Sequence, residues 1–222
     1  MRYIKRLPEP DILVQKRDEW QKKFEEKKAK NATARPDSSK YGNPSIRERL
    51  EMCSHRKCFY CESLLKGEPK EIDHFIEVAI APELAYTWTN LYLSCSNCND
   101  KVSHDVIPVD EVLDPCKSSD EEIRANITFE DECICSQPGS EKGLKTIQKF
   151  HLNTDLLDLK RGKWLRKIMK TAIEIQQCMI ADKREKPTQE EKHKLLRYMQ
   201  PDQPYSMMSE IFLRKKFQRF FA

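Results

Sequence analysis

The sequence contains no long hydrophobic run. Nowhere in its 222 residues does a stretch approach the roughly 20 consecutive apolar residues of a membrane-spanning helix. Residues 1–6 lack the apolar run of a secretion signal. We therefore expect a protein of the cytoplasm. The sequence also contains no internal repeat and no low-complexity tract, which excludes a repeat array.

Charge is plentiful but nearly balanced. Charged residues make up 34% of the chain and hydrophobic residues 38%, which is typical of a globular protein with a charged surface and a modest core. The formal net charge of +4 does not by itself indicate a nucleic-acid partner, because many enzymes carry as much. Lys and Arg cluster beside Trp or Phe at 160–170 and 214–219. These clusters suit contact with a phosphate backbone, and equally the solvated faces of amphipathic helices.

Nine cysteines in a chain with no export signal favour metal binding over disulfides, because a reducing compartment keeps thiols free. Two CxxC pairs, Cys58 with Cys61 and Cys95 with Cys98, frame the middle of the chain. Their spacing predicts one tetrahedral zinc ion (Zn²⁺), and four protein ligands leave no open position, so its role is structural. A redox role is disfavoured, because no thioredoxin-like βαβ pattern surrounds either pair. The CxC at 133–135 has no partner pair and is assigned no role.

The pattern of apolar residues predicts a mostly helical α+β chain built around a small ββα-metal unit. Two short strands, 71–75 and 90–94, lie between the cysteine pairs, and a helix is expected to start at Asn99. The predicted division is an N-terminal helical arm and linker (1–52), a ββα-metal core (53–110) and an irregular segment followed by a C-terminal helical region (111–222).

Further elements are predicted on both sides of the core. Asp11 is expected to cap a helix through Lys30. Residues 31–44 are expected to form a linker or an extended surface loop, and Ser45 with Glu48 to form the capping box of a short helix. The remaining predictions are an irregular segment at 106–143 with one strand at 126–129, a long helix that buries Leu165, Ile168, Ala172, Ile175 and Met179, a helix starting at 187–190, and a final apolar face of Leu213, Phe217, Phe220 and Phe221. That last face suits the core, or a docked partner.

Five polar residues of the predicted ββα-metal core are of the types needed to hydrolyse a phosphodiester bond with one divalent cation. His74 is the candidate general base, because the pKa of imidazole lies near neutrality. Asp73 and Asn99 supply oxygen ligands for Mg²⁺ or Mn²⁺. Asn90 is expected to brace the loop that carries His74, and Lys101 to face the phosphate. Since neighbouring residues of a strand point to opposite faces, Asp73 and His74 converge only where the strand ends.

Three motifs resemble the signature of HNH endonucleases in their zinc-bound His-Asn-Asn form: EIDHF (71–75), WTNL (88–91) and LSCSNCNDK (93–101). The resemblance implies His74 as the catalytic histidine and Asn90 as the central asparagine. It places Asn99 at the last position, which is often His in the family and here keeps a metal ligand. The family also has a proline a few residues after its Asp-His pair, whereas the first proline here is Pro82, so the following loop departs from the pattern.

More narrowly, looser motifs across the chain resemble the PtuB-like HNH proteins, effectors of Septu and of some retron anti-phage systems. These motifs are MRYIKRLP (1–8), IRERL (46–50), KCFYCE (57–62), LDPC (113–116) and LN (152–153). The resemblance implies a PtuA-like ATPase as partner. In retrons it also implies a reverse transcriptase and its multicopy single-stranded DNA.

Two functional classes remain open from the sequence. In the first, the chain is a metal-dependent nuclease that needs His74. In the second, it is a non-catalytic zinc module that binds nucleic acid or a protein partner, and His74 is dispensable. DNA is favoured as the substrate, and RNA such as a tRNA is chemically open if the site tolerates the 2′-hydroxyl.

Overall fold

Most of the chain is helical. The computed structural model describes residues 1–67 and 69–221. Within these ranges the α-helices are α1 (Asp11–Lys30), α2 (Ser38–Tyr41), α3 (Pro44–Ser54), α4 (Ser96–Asn99), α5 (Asp120–Asn126), α6 (Glu141–Lys149), α7 (Asp155–Ala181), α8 (Gln189–Arg197) and α9 (Ser206–Lys216). None of these described helices combines the length and the apolarity needed to cross a bilayer. The predicted fold class, a mostly helical chain with a small β component, is confirmed.

Two antiparallel hairpins supply the strands. β1 (Glu71–His74) pairs with β2 (Leu91–Ser94), with Glu71 opposite Ser94 and His74 opposite Leu91. β3 (Ile127–Glu130) pairs with β4 (Cys133–Ser136). The first hairpin is the predicted one, but Asn90 lies in a short 3₁₀ turn before β2 instead of inside the strand.

The two predicted N-terminal helices, α1 and α3, are present, but their caps differ from those predicted. Asp11 is the first helical residue of α1 and no side chain caps that helix. The predicted capping box at the start of α3 is wrong. Asn43 is the cap, and its Oδ1 accepts the Ser45 N–H at 3.0 Å. The reason is Pro44, whose fixed φ suits the first helical position and moves the cap of α3 two residues upstream, from Ser45 to Asn43.

The segment expected to be irregular is largely ordered into α5, the β3–β4 hairpin and α6. Buried Ile127 and Phe129 on β3 and Ile134 on β4 hold the hairpin against the core. The turn between the strands places Asp131 at φ 52°, a left-handed conformation that Asp tolerates better than most residues. The strand predicted at 126–129 is confirmed by β3, whereas β4, with Ile134 as its buried apolar residue, was not predicted.

The C-terminal helices follow their predicted apolar stripes. Every residue of the predicted stripe on α7 is buried. The prediction of a helix from 187–190 is confirmed by α8, which Thr188 and Glu191 begin with a capping box. Leu213 and Phe220 are buried, and Phe217 and Phe221 are half-buried against the core, so the final apolar face packs on the core.

Several cations of the two basic clusters are paired within the chain. Arg161 is buried, donates to Leu152 O at 2.8 Å and pairs with Asp158. Arg214 pairs with Glu210 at 3.0 Å. The clusters therefore serve the fold as much as the surface, which weakens their interpretation as a phosphate track.

One buried cation joins α6 to the segments around β1. The Lys149 side chain is fully buried and its Nζ donates to Glu77 Oε1 at 3.1 Å. It also donates to the carbonyl oxygens of Val102 and Ile107, each at 2.8 Å. A buried ammonium is tolerated only when its donors are used, so this contact fixes the position of the loop after β1.

We predict that Lys149→Met lowers the free energy of unfolding by about 3 kcal/mol, because it leaves Glu77 and two buried carbonyls without their donor. Urea unfolding followed by circular dichroism measures the change. The matched control is Lys145→Met on the same helix, where a solvent-exposed pair with Glu111 contributes less than about 1 kcal/mol. Equal losses in the two variants would refute the role given to Lys149.

Candidate metal centre and active-site cleft

The four cysteines of the two CxxC pairs form one buried cluster. Their sulfur atoms all lie within 4.8 Å of one another, and Cys61 Sγ lies 3.8 Å from Cys95 Sγ. Zn–S bonds of about 2.3 Å in a tetrahedron separate the sulfurs by about 3.8 Å, whereas a disulfide requires about 2.05 Å. The cluster therefore fits one tetrahedral zinc ion.

The protonation chemistry of the cluster also suits a metal. Burial raises the pKa of the Cys58 and Cys98 thiols well above their usual range. Hydrogen bonds from neighbouring thiols lower the pKa of Cys61. Four thiolates cannot share one dry site unless a cation balances them, and Zn²⁺ supplies that charge.

The backbone brings the two halves of this centre together. Phe59 N–H, inside the first pair, donates to Leu93 O of β2 at 2.9 Å, and Cys98 N–H donates to Cys95 O at 3.1 Å. The first CxxC turn is thus bonded to the strand that leads into the second. A metal held by both turns joins the end of α3 to the end of β2.

We predict that Cys58→Ser abolishes zinc binding and unfolds the segment around β1 and β2, because two strands of four residues are too short to be stable alone. Metal analysis and the melting temperature measure both effects. Cys178→Ser is the control, since this thiol is exposed on α7, and it should keep one zinc per chain and the melting temperature. A Cys58→Ser protein with normal zinc content would contradict the assignment.

A cleft of about 580 Å³ opens beside the end of β1. Asp73 and His74, the last two residues of that strand, both line it. So do Asn99 and Lys101 from the other side of the hairpin. The structure therefore brings four of the five predicted polar residues into one cavity, with Asn90 immediately behind it.

The ring of His74 is held from two sides. Its Nε2 lies 2.8 Å from Ala85 O, and because a carbonyl only accepts, Nε2 carries the proton and Nδ1 is the ring's proton acceptor. The Tyr41 ring meets it edge-on with 4.8 Å between centroids. Burial lowers the pKa of His74, which keeps the imidazole neutral at pH 7 and able to accept a proton.

Asn90 is bonded to the loop after His74 through both ends of its side-chain amide. Its Oδ1 accepts the Ile76 N–H at 2.7 Å and its Nδ2 donates to Ile76 O at 2.9 Å. The backbone carbonyl of Asn90 accepts the Phe75 N–H at 2.9 Å. These are the contacts of a brace, and they explain a fully buried asparagine.

Lys101 was expected to face a phosphate, but its ammonium is turned to Asp73. Nζ lies 2.9 Å from each carboxylate oxygen of Asp73 and 3.1 Å from Phe75 O. Tyr60 OH donates to the same carboxylate at 2.6 Å. Burial raises the pKa of the Asp73 carboxyl, and the Lys101 ammonium opposes that rise. A buried carboxylate needs such a partner, which sequence spacing did not reveal.

Asn99 ends a helix instead of starting one. It is the last residue of the four-residue α4, so the predicted helix from Asn99 is wrong. Its Nδ2 donates to the Glu71 carboxylate, and its Oδ1 faces Ser94 Oγ at 3.4 Å. Glu71 was missed by the sequence interpretation. Residues two apart in a strand lie on the same face, so Glu71 lies on the same face of β1 as Asp73. That spacing could have predicted Glu71 as a residue of the site.

The oxygens at this end of the cleft suit a hard divalent cation. Carboxylate and amide oxygens from Asp73 and Asn99 are the ligand types that Mg²⁺ and Mn²⁺ take. In the structure the Lys101 ammonium pairs with the Asp73 carboxylate. A metal ion at Asp73 therefore requires the Lys101 side chain to move away.

Residues 58–105 match the HNH endonuclease family, which confirms the predicted resemblance over that segment. The chain is 28% identical over 155 residues to the Septu protein PtuB of Bacillus thuringiensis, covering 69% of this chain and 55% of that protein. It is 27% identical over 155 residues to the Septu protein PtuB of Bacillus mycoides strain KBAB4, covering 55% and 52%. A segment of 59 residues is 41% identical to protein ea31 of Escherichia phage lambda, covering 27% and 19%. The chain thus spans about half the length of the PtuB relatives that it matches.

Proposed function

We propose that this chain is a metal-dependent HNH endonuclease that hydrolyses phosphodiester bonds of nucleic acid. The observation that carries the proposal is His74, held at Nε2 by Ala85 O with Nδ1 as the acceptor, in one cleft with Asp73 and Asn99. A general base and oxygen ligands within one cavity are what this hydrolysis requires. The HNH match over 58–105 supports the same chemistry.

The residues define one sequence of bond changes. Nδ1 of neutral His74 accepts a proton from a water molecule, the water oxygen bonds to phosphorus, and the P–O bond to the leaving sugar oxygen breaks. Asn90 and the Ala85 carbonyl keep the ring oriented during the transfer. Asp73 and Asn99 would hold Mg²⁺ or Mn²⁺, which when bound stabilises negative charge on the phosphate and the leaving oxygen.

We predict that His74→Ala lowers cleavage of a labelled nucleic-acid strand in Mg²⁺ or Mn²⁺ by about 10²–10⁴-fold, the range for loss of a general base. Zinc content and melting temperature should stay those of the wild type, because the four-cysteine cluster is separate from the ring. Gel assays under single-turnover conditions measure the rate.

The control for this variant is His193→Ala, an exposed histidine on α8 that should cleave at the wild-type rate. Normal cleavage by His74→Ala would refute the proposed base. A protein that binds nucleic acid but never cleaves it, with or without His74, would establish the alternative, a non-catalytic zinc module that binds nucleic acid or a protein partner.

We further propose that the chain is the effector of an anti-phage defence system and works with a PtuA-like ATPase. The similarity to two Septu PtuB proteins supports this. Cells carrying the chain together with a PtuA-like ATPase should plate phage less efficiently than cells carrying the His74→Ala variant with the same ATPase. Equal plating would contradict the defence role. A reverse transcriptase and its multicopy single-stranded DNA stay predictions from the retron resemblance.

DNA is the proposed substrate and RNA, such as a tRNA, the alternative. The chemistry attacks the phosphate and does not by itself separate the two. Sequencing the cleavage ends from cells in which the effector is triggered should yield DNA ends. RNA ends alone would move the assignment to the alternative.

A further inference from the structure

The N-terminal residues 28–41 form one wall of the cleft, and the proposed hydrolysis uses none of their side chains. Lys28, Thr33 and Arg35 line the cavity together with His74. The edge-on contact of Tyr41 with the His74 ring, 4.8 Å between centroids, shows how close this wall comes to the base. A strand bound in this cavity at His74 would lie beside the wall.

The carboxylates that line the cleft have ion-pair partners, whereas two of its cations have none among the described residues. Of the two carboxylates in its lining, Asp73 is paired with Lys101 at 2.9 Å and Glu77 with the buried Lys149 at 3.1 Å. Lys28 and Arg35, in contrast, make no hydrogen bond or ion pair to any residue that the structure describes. The wall therefore presents two cationic side chains that pair with no carboxylate of residues 1–67 and 69–221.

The wall is fixed to the core from behind. Asp37 N–H donates to Tyr86 OH at 2.9 Å. The Tyr86 ring meets Trp20 and Phe24 of α1 edge-on, with centroid separations of 5.8 and 6.4 Å. Gln21 Nε2 donates to the Pro82 carbonyl at 3.0 Å. These contacts hold the loop in place before any ligand arrives, which lowers the entropy cost of binding.

We propose that Lys28 and Arg35 form a phosphate-binding subsite for the backbone of the strand whose scissile phosphate lies at His74. The proposal rests on the proposed nuclease function and names its substrate contact. A guanidinium pairs with phosphate oxygens through two N–H groups, and an ammonium acts as a point charge. Such contacts position a strand without reading its bases.

The test uses the full-length, zinc-loaded chain in the His74→Ala background, so that bound strands stay intact. Lys28→Ala with Arg35→Ala is compared with Lys22→Ala plus Lys66→Ala. The control pair removes the same charge from exposed positions outside the cleft lining. The probe is a fluorescently labelled single-stranded DNA, and its affinity is measured between about 50 and 200 mM salt.

We expect the cleft variant to bind at least about tenfold more weakly than its parent at low salt, because two phosphate contacts are lost. The slope of log affinity against log salt should flatten by about 1.4 for two contacts to a single strand. The control pair should keep the slope of the parent. Zinc content and circular dichroism confirm that both variants are folded.

A cleft variant that matches the control pair in affinity and slope would overturn the subsite. The two proposals fail separately. If protein with native His74 never cleaves but the cleft variant loses affinity and slope, hydrolysis is wrong and the subsite stands. If native protein cleaves and the cleft variant binds like the control, hydrolysis stands and the subsite is wrong.

Discussion

A cluster of four buried sulfur atoms is the constraint on which the rest of the site depends. It joins the turn after α3 to the turn after β2, and the hairpin between these turns has strands of only four residues each. Strands this short do not hold a register without further support. With the two turns clamped, the end of β1 faces α4, and Asp73 and Asn99 meet in one cleft. A metal held by this cluster would therefore act as a scaffold, and the proposed chemistry lies at the end of the strand that the cluster fixes.

The orientation of His74 depends on contacts from distant parts of the chain. Arg6 donates to the carbonyls of Trp88 and Leu91 at 3.1 and 2.9 Å, and so it holds the turn that carries Asn90. Asn90 in turn fixes the loop after His74. The N-terminal region thus contributes twice, once behind the histidine brace and once as the opposite wall of the cleft. The domain boundary predicted after residue 52 remains a prediction. The contacts of Arg6 and of the cleft wall show that residues 1–52 help to form the site.

What the sequence predicted, it predicted through local spacing. The cysteine pairs, the buried stripe of α7 and the approximate strands could be predicted because each shows a regular residue spacing within one short segment of the chain. The misses are of two kinds. Pro44 moved the start of α3 by two residues, because Asn43 and Ser45 compete as local caps. The pairing of Lys101 with Asp73 and the approach of Arg35 to the cleft depend on where long side chains and distant segments meet. These long-range contacts cannot be predicted from residue spacing, because they form only when distant segments pack together.

The proposal that the cysteine cluster and the cleft hold different metals for different tasks is tested most directly by anomalous diffraction from crystals grown with Mn²⁺. It predicts a zinc signal at the four cysteine sulfurs and a separate manganese signal at Asp73 and Asn99, with the Lys101 ammonium displaced from the Asp73 carboxylate. Manganese absent from the cleft, with Lys101 still bonded to Asp73 at saturating Mn²⁺, would contradict the account.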